Sequence, residues 1–67
     1  MLTLKVTILE GRTEAQKRDL IRRLTAAAEL YLNEPAADIR VIIYEVPPTN
    51  WGAGGSTLAQ RERLDRM

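Results

Sequence analysis

The residues from Ile39 to Val46 constrain this chain more than any others. Ile39, Val41 and Ile43 point to one side of an extended strand, while Ile42, Tyr44 and Val46 point to the other. A strand that is apolar on both faces is covered on both faces. The chain has 67 residues, enough for one small domain spanning 1–67. One helical pattern precedes the strand and can cover one face only. No second helix layer precedes Pro47. The other face must be buried against another molecule, so the sequence reads as a subunit of an oligomer.

Composition narrows what else could stabilise so short a chain. Apolar residues make up 45% of it, which excludes a disordered charged tail. A domain this small needs a staple. Cys is 0, so disulfides and thiolate metal sites are excluded. His is 0, which removes the commonest neutral-pH base and the commonest metal ligand. What remains is an idealised monomer or an oligomer, and the oligomer is the expectation. A net charge of +1 lacks the basic excess of a nucleic-acid binder. No apolar run reaches the length of a membrane span, and Lys5 interrupts the first apolar segment. The expected location is the cytoplasm, with neither nucleic acid nor membrane as partner.

Leu2, Leu4, Val6 and Ile8 alternate with Thr3, Lys5 and Thr7, the period of a strand with one buried face. Gly11 breaks the run. Thr13 with Gln16 three residues on reads as a capping box, and Glu14 favours the positive end of a helix. Leu20, Ile21, Leu24, Ala27, Ala28, Tyr31 and Leu32 then form one helical stripe, ended by Asn33 and Pro35. Strand, helix and strand make a right-handed βαβ unit with two parallel strands, an α+β fold. After the turn Pro47-Pro48-Thr49-Asn50, Gly52-Ala53-Gly54-Gly55 is a flexible, backbone-permissive stretch. It and the charged residues 57–67 complete the chain as a short C-terminal hairpin or tail. The residues from Thr57 read as a tail or short helix that orders against a neighbouring subunit.

Eight of the ten basic residues are Arg, the side chain suited to bidentate capture of carboxylates and to interface ion pairs. Arg12 follows the first strand and Arg40 opens the second. In a parallel pair these positions lie roughly 25 Å apart, at about 3.3 Å per residue. They cannot share a ligand within one chain, so an anion site using both is an interface site. Composition alone also fits two ion-pair residues. Trp51, Tyr31 and Tyr44 read first as packing or interface residues. Glu10, Asp38 and Glu45 lie near strand ends, and each could act as a base only if burial raised its pKa. The Gly52–Gly55 stretch is not a phosphate loop, because no Lys-Ser/Thr and helix start follow it.

The segment Ile8-Leu9-Glu10-Gly11-Arg12-Thr13, the strand Ile39-Arg40-Val41-Ile42-Ile43-Tyr44-Glu45-Val46 and the run Asn50-Trp51-Gly52-Ala53-Gly54-Gly55 together resemble the 4-oxalocrotonate tautomerase family. The resemblance covers the chain from Leu2 to Gly55. It implies βαβ units that assemble into dimers and a hexamer, a trimer of dimers. It gives Arg12 the role of binding a substrate carboxylate. It makes Arg40, delivered from another subunit, the catalytic arginine that polarises the 2-keto or enol oxygen. Trp51 stands where an aromatic walls the substrate pocket. The implied substrate is a small dicarboxylate or 2-keto acid, and neither metal nor organic cofactor is required.

One departure stands out. The family's base is an amino-terminal proline, and here Leu2 occupies that position. The amine of Met1 would lie one residue, up to about 3.6 Å, beyond the expected place. An α-amine can serve as a base, so the group is chemically suitable but misplaced. Arginines and aromatic wall without the proline fit a subunit that contributes Arg12 and Arg40 to a site whose proline comes from a paralogous chain. Two other readings fit as well: a homohexamer with weak or altered activity, or a non-catalytic binding protein that keeps the assembly.

Overall fold

The computed structural model describes residues 1–65, with side chains through Glu62. Strand β1 (Leu2–Leu9) and strand β2 (Ile39–Val46) pair in parallel, from Leu2 opposite Ile39 to Leu9 opposite Val46. Leu2, Leu4, Val6 and Ile8 are half-buried while Thr3, Lys5 and Thr7 are exposed, as the alternation requires. Helix α1 (Glu14–Leu32) supplies the crossover. Its capping box is made in full. The Gln16 backbone N–H donates to the Thr13 hydroxyl at 3.1 Å, and the Thr13 N–H donates to Gln16 Oε1 at 2.9 Å. Asn33 ends the helix in the left-handed conformation at φ 55°, one of the few residue types that tolerates it.

The stripe on α1 is wider than the surface beneath it. Ala28 is buried against a sheet that also buries Ile39, and Leu20 and Leu24 are half-buried. Ile21, Tyr31 and Leu32 remain 38%, 80% and 56% exposed. Two strands set about 4.8 Å apart cannot cover a full helical stripe. On the opposite face of the sheet, Ile42 and Tyr44 are 40% and 47% exposed. The two-faced apolar character of β2 is therefore present, and within one chain only its helix-facing side is covered.

In the C-terminal part the structure takes the hairpin and the short helix among the expected alternatives. A turn of 3-10 helix at Pro48–Asn50 leads to strand β3 (Gly52–Ala53), which pairs antiparallel with β4 (Ser56–Thr57). Gly54 and Gly55, at φ 64° and 89°, form the two-residue turn between them. Positive φ at both central positions matches the strand twist of a tight hairpin. Helix α2 (Leu58–Asp65) follows directly. It opens with a second capping box: the Gln60 N–H donates to the Thr57 hydroxyl at 3.1 Å and the Thr57 N–H to Gln60 Oε1 at 2.9 Å. The helix packs on the Pro48–Asn50 turn of its own chain. Arg66 and Met67, part of the expected tail, lie outside the described residues.

The chain measures 49 × 24 × 15 Å with a radius of gyration of 15.8 Å. A compact chain of this length has a radius of about 11 Å. Its accessible surface is 5362 Å², against about 4,300 Å² for a compact monomer of this mass. Among the described residues, the buried apolar core is Ala28 and Ile39 alone. Such a core cannot offset the ordering entropy of the chain, so the fold needs a neighbour on its apolar surfaces.

Candidate active site

The far end of β1 is built to present Arg12. The Glu10 N–H donates to the Val46 carbonyl at 3.0 Å and extends the ladder one step beyond Leu9. Gly11 then turns the chain at φ 122°. A Cβ there would meet nothing within 4 Å, so the constraint is the dihedral and not space. Arg12 emerges between this turn and the capped start of α1. It is exposed, and among the described residues it has no ion-pair or side-chain hydrogen-bond partner.

Arg12 borders two open clefts. One, of about 510 Å³, is lined by Ile8, Leu9, Glu10, Gly11, Arg12 and Trp51. The other, of about 250 Å³, is lined by Ile8, Arg12, Gln16, Lys17 and Leu20. Trp51 is half-buried and is held by its backbone, whose carbonyl accepts from the Leu58 N–H at 2.9 Å. The hairpin is braced in turn by Arg61, which donates to the Ala53 carbonyl at 3.1 Å. The structure thus brings a guanidinium and an indole to one opening beside the apolar Ile8 and Leu9. That arrangement suits an anion with an unsaturated body.

Arg40 stands at the other end of the sheet. Its register partner is Thr3, and its Nη1 donates to the Ala37 carbonyl at 2.7 Å. That bond ties the guanidinium to the short helical turn Ala36–Asp38. Leu2 is half-buried opposite Ile39, and Met1 is 84% exposed. Met1, Leu2 and Arg40 therefore share one end of the sheet, whereas Arg12 and Trp51 share the other. Six residue steps from Thr3 to Leu9 already span about 20 Å.

The carboxylates at the strand ends differ in their surroundings. Glu10 lines the Trp51 cleft and Asp38 sits in the exposed turn before β2. Glu45 accepts from Lys17 Nζ at 2.5 Å. Lys17 received no role from the sequence, yet a signal was there. Glu45 has the parity of Ile39, Val41 and Ile43, so it faces the helix, and Lys17 follows the cap Thr13 by one turn. On the outer side of α1, the guanidiniums of Arg22 and Arg23 hold the Asp19 carboxyl below its usual range by hydrogen bonding. Among the described residues no group of acidic side chains forms a metal site, and no helix is long and apolar enough to cross a membrane.

A sequence model of the family described as Tautomerase enzyme matches residues 3–61. The chain belongs to the tautomerase family. It is 47% identical over 55 residues to a probable tautomerase of Ralstonia nicotianae, covering 82% of this chain and 79% of that one. It is 43% identical over 51 residues to a 2-hydroxymuconate tautomerase of Pseudomonas putida, covering 76% and 81%. Among solved structures, the heterohexamer 4-oxalocrotonate tautomerase from Chloroflexus aurantiacus J-10-fl is 50% identical with a TM-score of 0.84, over 90% of this chain and 97% of that one. TomN, a homologue from the tomaymycin biosynthetic pathway, is 41% identical with a TM-score of 0.88, over 91% and 94%.

Proposed function

We propose that this tautomerase chain is one subunit of an oligomer that interconverts enol and keto forms of a 2-hydroxydienoate such as 2-hydroxymuconate. The observation that carries the proposal is the placement of the arginines. Arg12 opens beside Trp51 at one end of the sheet, and Arg40 lies beside Thr3 at the other. A dianion held by both must bridge two chains, and the uncovered apolar faces supply the reason for chains to meet. Dimers associating into a hexamer, as a homo-oligomer or with a paralogous chain, would bring the two ends together.

In that site Arg12 binds a substrate carboxylate as a bidentate partner. Arg40 faces the 2-oxygen and stabilises the negative charge that develops as the enol proton leaves. Trp51 and Leu9 exclude water, which strengthens both contacts. A neutral amine takes the enol proton, and the same proton returns to carbon to give the ketone, so nothing is gained or lost overall. No proline occurs before Pro35, and Leu2 occupies the position of the base. On the first reading the amine is the proline of a partner chain. The second reading is a homohexamer that uses the amine of Met1, favoured by the 84% exposure of Met1 at the Arg40 end.

The test is 2-hydroxymuconate turnover by the purified chain, alone and mixed with a paralogous chain that begins with proline. Turnover only in the mixture supports the partner reading, and turnover alone supports the amine of Met1. A chain remade to begin with proline at position 2 should then gain turnover by orders of magnitude. No activity in any of the three would leave a non-catalytic binding protein.

A further inference from the structure

We infer that Lys17 is a positioning residue for the substrate-binding arginine: by holding Glu45, it keeps that carboxylate from capturing Arg12. The inference rests on the role proposed above for Arg12. Ile8, Arg12, Gln16, Lys17 and Leu20 line one cleft. Glu45 is the register partner of Ile8, and its carboxylate meets Lys17, one of the residues that line that cleft. Two cations and one fixed anion thus share the seam between α1 and the end of the sheet. Glu45 pairs with Lys17, and Arg12 has no partner among the described residues.

This choice of pair has a physical basis. Lys17 lies on the first turns of a helix anchored by a complete capping box, and its backbone N–H donates to the Thr13 carbonyl at 3.1 Å. Its ammonium is a point charge that needs no planar partner, so one carboxylate oxygen satisfies it. Arg12 sits on a turn whose direction is set by Gly11, and its planar fork matches an incoming carboxylate better than it needs an internal one. Removing Lys17 would leave Glu45 half-exposed and unpaired beside a free guanidinium. Arg12 would then move to it, and substrate would compete with an intramolecular anion. Glu10, which lines the Trp51 cleft, and Glu14, in the first turn of α1, are also close to Arg12 in sequence, and both stay in place in every variant below.

The experiment uses the full chain in its assembled state and cis,cis-muconate as an unreactive dicarboxylate probe. Lys17→Met should weaken muconate binding about tenfold, the range expected when one charge-assisted contact is lost. Lys17→Met with Glu45→Gln should restore wild-type affinity, because the carboxylate that the loss of Lys17 releases is then gone as well. A merely structural role for the pair predicts that the double variant binds no better than the single one, and that result would overturn the inference. A crystal structure of Lys17→Met gives a readout free of ligand: Arg12 within ion-pair distance of Glu45 supports the inference, and Arg12 still pointing into the cleft overturns it. Wild-type binding that is insensitive to Arg12→Ala would instead overturn the proposed role of Arg12, and this inference with it.

Discussion

Thr3 and Arg40 stand opposite one another in the parallel register, so the arginine of β2 sits where β1 begins, a sheet's length from Arg12. If a site takes Arg12 from one chain and Arg40 from another, two defective variants should repair each other. Arg12→Ala and Arg40→Ala should each lose activity by roughly two orders of magnitude or more, as removal of an oxyanion-type donor does. Dissociated together and reassembled, they should regain a substantial share of it, because some sites then draw both arginines from intact positions. Continued inactivity of mixed assemblies, verified by mass, would place both arginines in the same chain's site.

The outer face of the sheet carries Ile42 and Tyr44 half open to solvent on a chain whose buried core, among the described residues, is Ala28 and Ile39 alone. Ile42→Lys should therefore abolish assembly and, with it, cooperative folding at low concentration, since a desolvated cation there has no partner. Sedimentation and circular dichroism over a dilution series would read both. A stable, folded monomer would show that the chain folds without this contact, and an intact oligomer would show that the assembly forms elsewhere.

Much of this architecture is legible in the sequence because its signals are local or periodic. The bounds of β2, the cap at Thr13 and the stop at Asn33 each follow from residue type and spacing, and the two apolar faces of β2 imply a missing layer. The order around Gly54 and Gly55 is less legible, since glycines mark permitted conformations without saying which is used. The Thr57–Gln60 cap repeats the pattern of Thr13–Gln16, yet the charged run after it masks the signal of a helix. For the site, spacing alone separates Arg12 from Arg40. The meeting of Trp51 with Arg12 depends on the hairpin folding back, which is a tertiary fact. The Lys17–Glu45 pair is readable from strand parity combined with helix phase.

Asp19 offers a prediction in pH. Hydrogen bonds from Arg22 and then Arg23 lower its pKa from the ordinary 3.8. A carboxyl with a depressed folded-state pKa adds stability that is present above its ordinary value and lost as pH falls through the lowered one. Asp19→Asn should thus be slightly less stable than wild type at neutral pH, and the gap should close below the ordinary carboxylate range. Because all three side chains are well exposed, added salt should shrink the gap at neutral pH too. Urea unfolding at several pH and salt values checks both trends; a gap that widens on acidification would contradict the assignment.

The hairpin that carries Trp51 against the Arg12 cleft turns on Gly54 and Gly55, both at positive φ. A Cβ at Gly55 meets nothing within 4 Å, so Gly55→Ala isolates the dihedral cost, about 1 to 2 kcal/mol. At Gly54 the added Cβ would also approach Arg61 Nη2 at 3.1 Å, and that flexible end can yield. Trp51 is the only tryptophan in the chain, so its fluorescence reports on the hairpin alone. Gly55→Ala should shift the emission to the red as the indole leaves its half-buried seat, and should raise KM through the loss of the apolar wall, with a smaller change in kcat. A red shift with unchanged kinetics would show that Trp51 packs the hairpin without bordering the bound substrate.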